Sequence, residues 1–139
     1  MVGVAEVESL PYDVGVSAPD SLLEIAPSFF NLRCSFRLFG LVDIKTHASL
    51  VRLSSGKFLL LDSGEFEPEV LRWLRQTTND GAKLSAIIHL HPFHTVSATS
   101  VHEQFPGSTL YGTRRHQQRL SDLPWADAMT MNTELATGW

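Results

Sequence analysis

Three of the chain's six histidines, His89, His91 and His94, fall within the stretch Lys83–Thr95, which reads K-L-S-A-I-I-H-L-H-P-F-H-T. A neutral imidazole is a ligand for zinc and other borderline metals, and three that converge can hold one ion with water completing the shell. The apolar run Leu84–Leu90 that leads into them has the length and β-branched content of a buried strand. Residues at i and i+2 of an extended chain point to the same side. His89 and His91 are therefore expected to present their rings in parallel. Pro92 cannot donate to a sheet ladder, so a turn there is expected to bring His94 back towards them. The chemistry implied is a metal centre at a strand end.

The surrounding elements must place that strand. Residues 1–20 mix Gly, Pro, Ser, Val and acidic residues without a period and read as a loose arm; residues 21–139 read as one domain. Leu22–Ala26, bounded by Pro19 and Pro27, reads as a short strand, and Phe29, Phe30, Phe36 and Phe39 are expected to supply core mass around a turn near Asn31. His47–Leu53 alternates as a half-buried strand and Lys57–Asp62 is a solid apolar run. Ser54-Ser55-Gly56 between them suits a hairpin loop. Asp62-Ser63-Gly64 ends the second strand. Pro68 suits the first turn of a helix whose apolar stripe is Val70, Leu71 and Leu74, widened by Trp73. Asn79-Asp80-Gly81 stops that helix and returns the chain to the histidine strand. A second helical pattern, Ala98, Val101, His102 and Phe105, ends at Pro106-Gly107. Ser108–Tyr111 reads as a strand, Thr113 as an N-cap and Arg114–Leu120 as a third helix. Asp122–Trp139 has no period. Strands alternating with helices predict a layered α/β fold with part of the sheet parallel.

Taken in order, the hairpin ending Leu-Leu-Leu-Asp62-Ser-Gly64, the helix, the strand ending His89-Leu-His91-Pro-Phe93-His94, and the following helix with Gly107-Ser-Thr-Leu-Tyr111 resemble the first half of the metallo-β-lactamase superfamily. In that family a strand-ending Asp-x-Gly precedes the signature His-x-His-x-Asp-His at the mouth of an αββα sandwich. The resemblance covers roughly residues 22–120 and implies only part of that sandwich. It implies that His89 and His91 match two ligands of the first metal site, that His94 matches the histidine of the second, and that Asp62 shapes the supporting turn. Phe93 stands where the signature has aspartate, the carboxylate that binds the second metal and positions the attacking water. Phenylalanine supplies neither a ligand nor an acceptor, so two-metal hydrolysis is not expected. The family's later histidine and bridging aspartate belong to a second half, most of which this chain is expected to end before building. His102 and His116 do not fall where those ligands would. The sequence is thus expected to be a fragment, a shortened domain, or one whose missing half comes from another copy.

The leading expectation is a metallo-β-lactamase-like domain with a degraded metal site, non-hydrolytic or weakly binding zinc. The alternative is a mononuclear metal-dependent hydrolase of an ester, thioester or phosphodiester, with His89 and His91 holding the ion and His94 a third ligand or proton carrier. A structural module that oligomerises through an unfinished sandwich is the third.

Other chemistry finds little support. Ser97 and Ser100 lie near His94, but no G-x-S-x-G elbow exposes either. Gly81-Ala-Lys83 lacks the rest of a phosphate loop. The carboxylate pairs Glu65/Glu67 and Asp122/Asp127 sit in loop-like contexts. The 139 residues suit one domain, and a net charge of −4 with arginines scattered apart from Arg114-Arg115 argues against nucleic acid as a partner. Cys34 is the single cysteine, which leaves no intramolecular disulfide and predicts a buried thiol. No run reaches the ~18 apolar residues of a membrane span, and Glu6 and Glu8 interrupt the weakly apolar N-terminus. A cytoplasmic protein is expected.

Overall fold

The computed structural model describes residues 22–91 and 95–126. The chain opens with β1 (Leu22–Ala26) and β2 (Phe29–Ser35), an antiparallel hairpin. The turn between them is at Pro27-Ser28, with Ser28 in the left-handed region at φ 66°. The turn expected near Asn31 is therefore corrected: Asn31 lies within β2, paired with Leu23 on one side and Ser49 on the other. A small separate hairpin follows, β3 (Arg37–Leu38) and β4 (Val42–Asp43). Phe39 and Gly40 form its tip at φ 52° and 72°. Phe39 is 90% exposed, so of the four phenylalanines expected in the core only Phe30 is fully enclosed. A left-handed turn at the tip projects Phe39 away from the sheet whatever its hydrophobicity.

Next come β5 (Thr46–Arg52) and β6 (Phe58–Leu61), closed by the Ser54–Gly56 turn as expected, with Gly56 at φ 81° and the Leu53 N–H donating to Lys57 O at 2.8 Å. The short strand β7 (Glu65–Phe66) then pairs with the end of β2. Helix α1 (Pro68–Thr77) starts on its proline and buries Val70 and Leu74. Trp73 packs half-buried against Phe30, ring centroids 5.2 Å apart. Asn79, Asp80 and Gly81, all at positive φ, end it, and the small or short polar side chains there tolerate that conformation.

The chain crosses to β8 (Leu84–Ile88), then α2 (Ala98–Gln104), β9 (Thr109–Tyr111) and α3 (Arg114–Arg119). The main sheet runs β1-β2-β5-β6-β8-β9, antiparallel up to β6 and parallel across β6, β8 and β9. The helices bring Val70, Leu74 and Val101, with Phe105 just beyond α2, onto Phe30, Leu32, Leu50, Leu60 and Ile87 in one large core. A second, smaller cluster of Ala86, Ile88 and Tyr111 with half-buried Leu59 and Leu61 involves the alternate residues of those strands. This is the expected layered α/β arrangement.

Candidate functional site

Parallel pairing of β6, β8 and β9 puts their C-terminal ends side by side, with Leu61 opposite Ile88 and Ile88 opposite Tyr111. Crevices beyond such strand ends are where open α/β sheets hold their chemistry. Here the segments that emerge are Asp62-Ser63-Gly64, His89-Leu90-His91 and Gly112-Thr113.

Asp62 turns the first of these. It sits at φ 60°, a conformation Asp adopts more readily than most residues, and its N–H donates to Ile88 O at 2.7 Å. Its Oδ1 accepts from the N–H groups of both Leu90 and His91, at 2.8 and 3.1 Å. A carboxylate that satisfies two successive backbone donors fixes the segment beyond β8 without a sheet ladder. Sequence periodicity extends the strand to Leu90, whereas β8 ends at Ile88 because Asp62 takes these donors.

The equivalence of His89 and His91 that rested on a continuous strand is corrected accordingly. His89 is buried at 2% exposure while His91 is exposed. The His89 backbone N–H donates to Tyr111 O at 2.8 Å, and its Nδ1 lies 3.4 Å from the same oxygen. A carbonyl only accepts, so Nδ1 carries the proton and Nε2 the lone pair. That lone pair faces the Ser63 Oγ at 2.9 Å, and the hydroxyl donates to it. Ser63 is itself 4% exposed. Gly64, next along, lies so close to Cys34 that an added Cβ would overlap the Cys34 Cβ and stand 2.6 Å from its Sγ.

Two residues that the sequence reading left out of the site complete the setting of His89. His116 is fully buried on α3, its ring centroid 5.4 Å from that of His89. Its Nδ1 accepts from the Thr113 N–H at 3.1 Å and the Thr113 side chain accepts from the His116 backbone N–H, closing a capping box in which histidine takes the usual place of Glu; the Thr113 hydroxyl also lies 2.8 Å from Nδ1. Trp125 covers both rings, edge-on to His89 at 5.5 Å and tilted on His116 at 5.9 Å, with its indole N–H donating to Leu120 O at 2.8 Å. Gly112 permits this, since a Cβ there would come within 2.5 Å of the Trp125 ring and 2.9 Å of the His116 Cβ. The Thr113-x-x-His116 spacing was the available sequence signal; nothing local marks Trp125. Burial pushes the His89 imidazole down to about 4, with His116 adding to the shift and Asp62 opposing it. His89 is therefore neutral at physiological pH, the form a metal or a hydrogen-bond donor needs.

His94 lies outside the described residues, as does Phe93. Among the described residues, no group of three His, Cys, Asp or Glu side chains is arranged to hold a metal ion. His89 as placed does not fit one, because its lone pair is occupied by Ser63. His47 lies apart, bonded through Nδ1 to Asn31 Oδ1 at 2.8 Å. His102 is half-buried on α2. Cys34 is buried as expected, its thiol pushed up to about 12 by burial. No helix among the described residues is long and apolar enough to cross a membrane.

No protein-family model matches the chain, and no curated protein matches it by sequence. Solved structures do match. The chain is similar to the DIM-1 metallo-β-lactamase, with 15% identity and a TM-score of 0.55 over 81% of this chain and 52% of that one. It is similar to a metallo-β-lactamase from Pontibacter korlensis at 14% identity and TM-score 0.52, covering 76% and 48%. A β-lactamase domain protein from Burkholderia ambifaria matches at 16% identity and TM-score 0.51, covering 88% and 42%. The fold is that of part of a metallo-β-lactamase, and the chain spans about half the length of the structures it matches.

Proposed function

We propose that the chain is a metallo-β-lactamase-like domain whose metal centre is degenerate, holding at most one weakly bound zinc ion through His89, His91 and His94 and carrying out no two-metal hydrolysis. The observation that supports this reading is the state of His89. Its Nδ1–H is directed at Tyr111 O and its Nε2 lone pair is bonded to Ser63 at 2.9 Å, so an ion has to displace an existing hydrogen bond. Phe93 in place of the signature carboxylate removes the second ligand set and the group that would position water. As placed, with Ser63 on its Nε2, His89 does not fit a zinc ion, so no chemical step runs through one. The chain's own contribution is to keep His89 neutral, orient it through Tyr111 O, and hold the backbone of His91 through Asp62.

The test is elemental analysis of the purified chain at low free zinc, with a His89→Ala/His91→Ala control and a screen of ester, thioester and phosphodiester substrates. Substoichiometric metal and no turnover are expected. One tightly held metal per chain, lost in the control and accompanied by turnover, overturns the reading in favour of a mononuclear hydrolase.

A non-hydrolytic domain would act through association. Support comes from the β3–β4 hairpin, whose Phe39 and Leu41 are 90% and 88% exposed. Elution volume that shifts with concentration is expected, and a strictly monomeric profile counts against it.

A further inference from the structure

We infer that the β3–β4 hairpin pairs two copies of this chain about a twofold axis, each copy laying its apolar hairpin face on the other's. The inference rests on the reading of the chain as a non-hydrolytic domain that acts by association, and it names the partner and the surface. Cross-strand pairing of Arg37 with Asp43 and of Leu38 with Val42 fixes which side chains share a face. Leu38 and Val42 lie on one side with Ile44, two residues beyond Val42. Arg37 and Asp43 lie on the other, where Lys45 joins them with its Nζ 2.7 Å from Asp43 Oδ2. The hairpin is therefore amphipathic, yet its apolar face is bare. Leu38, Val42 and Ile44 are 42%, 57% and 53% exposed, and Phe39 and Leu41 at the turn reach 90% and 88%. Two strands alone are marginally stable in water, and β3 and β4 pair with each other and with no other strand among the described residues. The pattern calls for a covering layer.

Area and charge favour a second copy as that layer. The five apolar side chains expose roughly 600 Å² per chain, at the upper end of what a monomer leaves in one patch. Two such patches together bury about 1,200 Å², the lower bound of a standard specific interface. A twofold contact needs a surface complementary to itself. The apolar face meets that condition, because the charges of both hairpins stay on their outer sides. A lipid surface fits less well: Arg37 and Lys45 stand opposite or bonded to Asp43 on the far side, so no cationic rim borders the apolar face. An interface of minimum size holds weakly, with a dissociation constant on the order of 10 µM. In dilute solution the chain is then a monomer, and its own stability does not depend on the contact.

The experiment is sedimentation velocity of the full chain from ~1 to ~300 µM, with Phe39→Ser/Leu41→Ser on the apolar side and Arg37→Ser on the charged side. It is paired with isotope-filtered NMR on a mixture of carbon-13-labelled and unlabelled wild-type chains, which does not depend on any variant folding. A reversible monomer–dimer equilibrium is expected, weakened about tenfold or more in the double serine variant and unchanged in Arg37→Ser. The filtered spectrum should place the Phe39 ring against hairpin methyl groups of the other copy. A monomer at every concentration, a dimer that the double variant leaves intact, or a wild-type dimer without intermolecular contacts at the hairpin overturns the inference. So does co-sedimentation of the monomer with phosphatidylcholine vesicles that the double variant loses, which would make lipid the occupant. Metal-dependent turnover with the hairpin dimer intact would overturn the non-hydrolytic reading alone and leave the pairing standing.

Discussion

Replacing Asp62 is the sharpest probe of how the histidine segment is held. Its Oδ1 accepts two backbone hydrogen bonds, from Leu90 and His91 at 2.8 and 3.1 Å. Bonds to a charged group contribute ~1.5–3 kcal/mol each when well shielded. These lie towards solvent, where water can replace part of the loss, so Asp62→Ala should forfeit about 2 kcal/mol from both together. Alanine at φ 60° adds ~1 kcal/mol of backbone strain that aspartate partly escapes, giving a total near 3 kcal/mol. Asp62→Gly removes the carboxylate but relieves the strain, and should cost about 1 kcal/mol less than the alanine variant. Asp62→Asn keeps a neutral acceptor at the same place and should cost only ~1 kcal/mol. Urea unfolding followed by tryptophan fluorescence gives the stabilities, and hydrogen exchange of the Leu90 and His91 amides reads the same bonds locally. An asparagine variant as unstable as the alanine one, or amides still protected in Asp62→Ala, would refute the account.

Other expectations follow from single features. In chelator, the neutral His89 contributes little to pH dependence above about 7.5, a unit beyond the ordinary imidazole value, where it is unprotonated folded and unfolded. As pH falls towards about 4 the unfolded state binds the proton first, so stability declines by up to ~3 kcal/mol, a trend that urea midpoints at pH 7.5 and 4.5 should show and His89→Gln should flatten. Gly112→Ala drives a methyl into Trp125 and His116, and should cost ~1–3 kcal/mol and alter the Trp125 emission. The Cys34 thiol, pushed up to about 12, should react with disulfide reagents at pH 8 only as fast as the chain opens, and fast labelling of native protein would contradict its burial. Phe39→Ser at the exposed hairpin tip should leave stability within ~0.5 kcal/mol by the same urea assay.

The sequence was readable where structure is local. The Ser54–Gly56 hairpin, the helix opening on Pro68 and the Asn79–Gly81 stop each rest on residues within a few positions of one another, and each was found. The strand bearing the histidines was placed but drawn two residues too long, since its end is set by Asp62, far back in the chain. The same distance hid the site's other half. His116 and Trp125 reach His89 only because β9 pairs in parallel with β8 and the chain returns to Leu110 at Trp125. Ser63 was read as part of a turn, and only the β6–β8 register discloses that the turn faces His89. Phe39 was misjudged for the opposite reason: hydrophobicity suggested burial, but two successive left-handed residues made the tip of a hairpin.

The mixed sheet also orders events in time. β1–β2 and β5–β6 close through short turns, whereas β6–β8 and β8–β9 must wait for a helical crossover to bring distant strands together. Pairings of long sequence separation form late because loop closure precedes their reward. Until β8 arrives, β6 offers an unpaired edge of three leucines, Leu59–Leu61, the part of a nascent chain most apt to recruit another strand. The Asp62 carboxylate, which accepts from the Leu90 and His91 N–H groups just beyond β8, engages after that edge is covered. It therefore works as a latch on departure: its loss should quicken unfolding while leaving the rate of folding nearly unchanged.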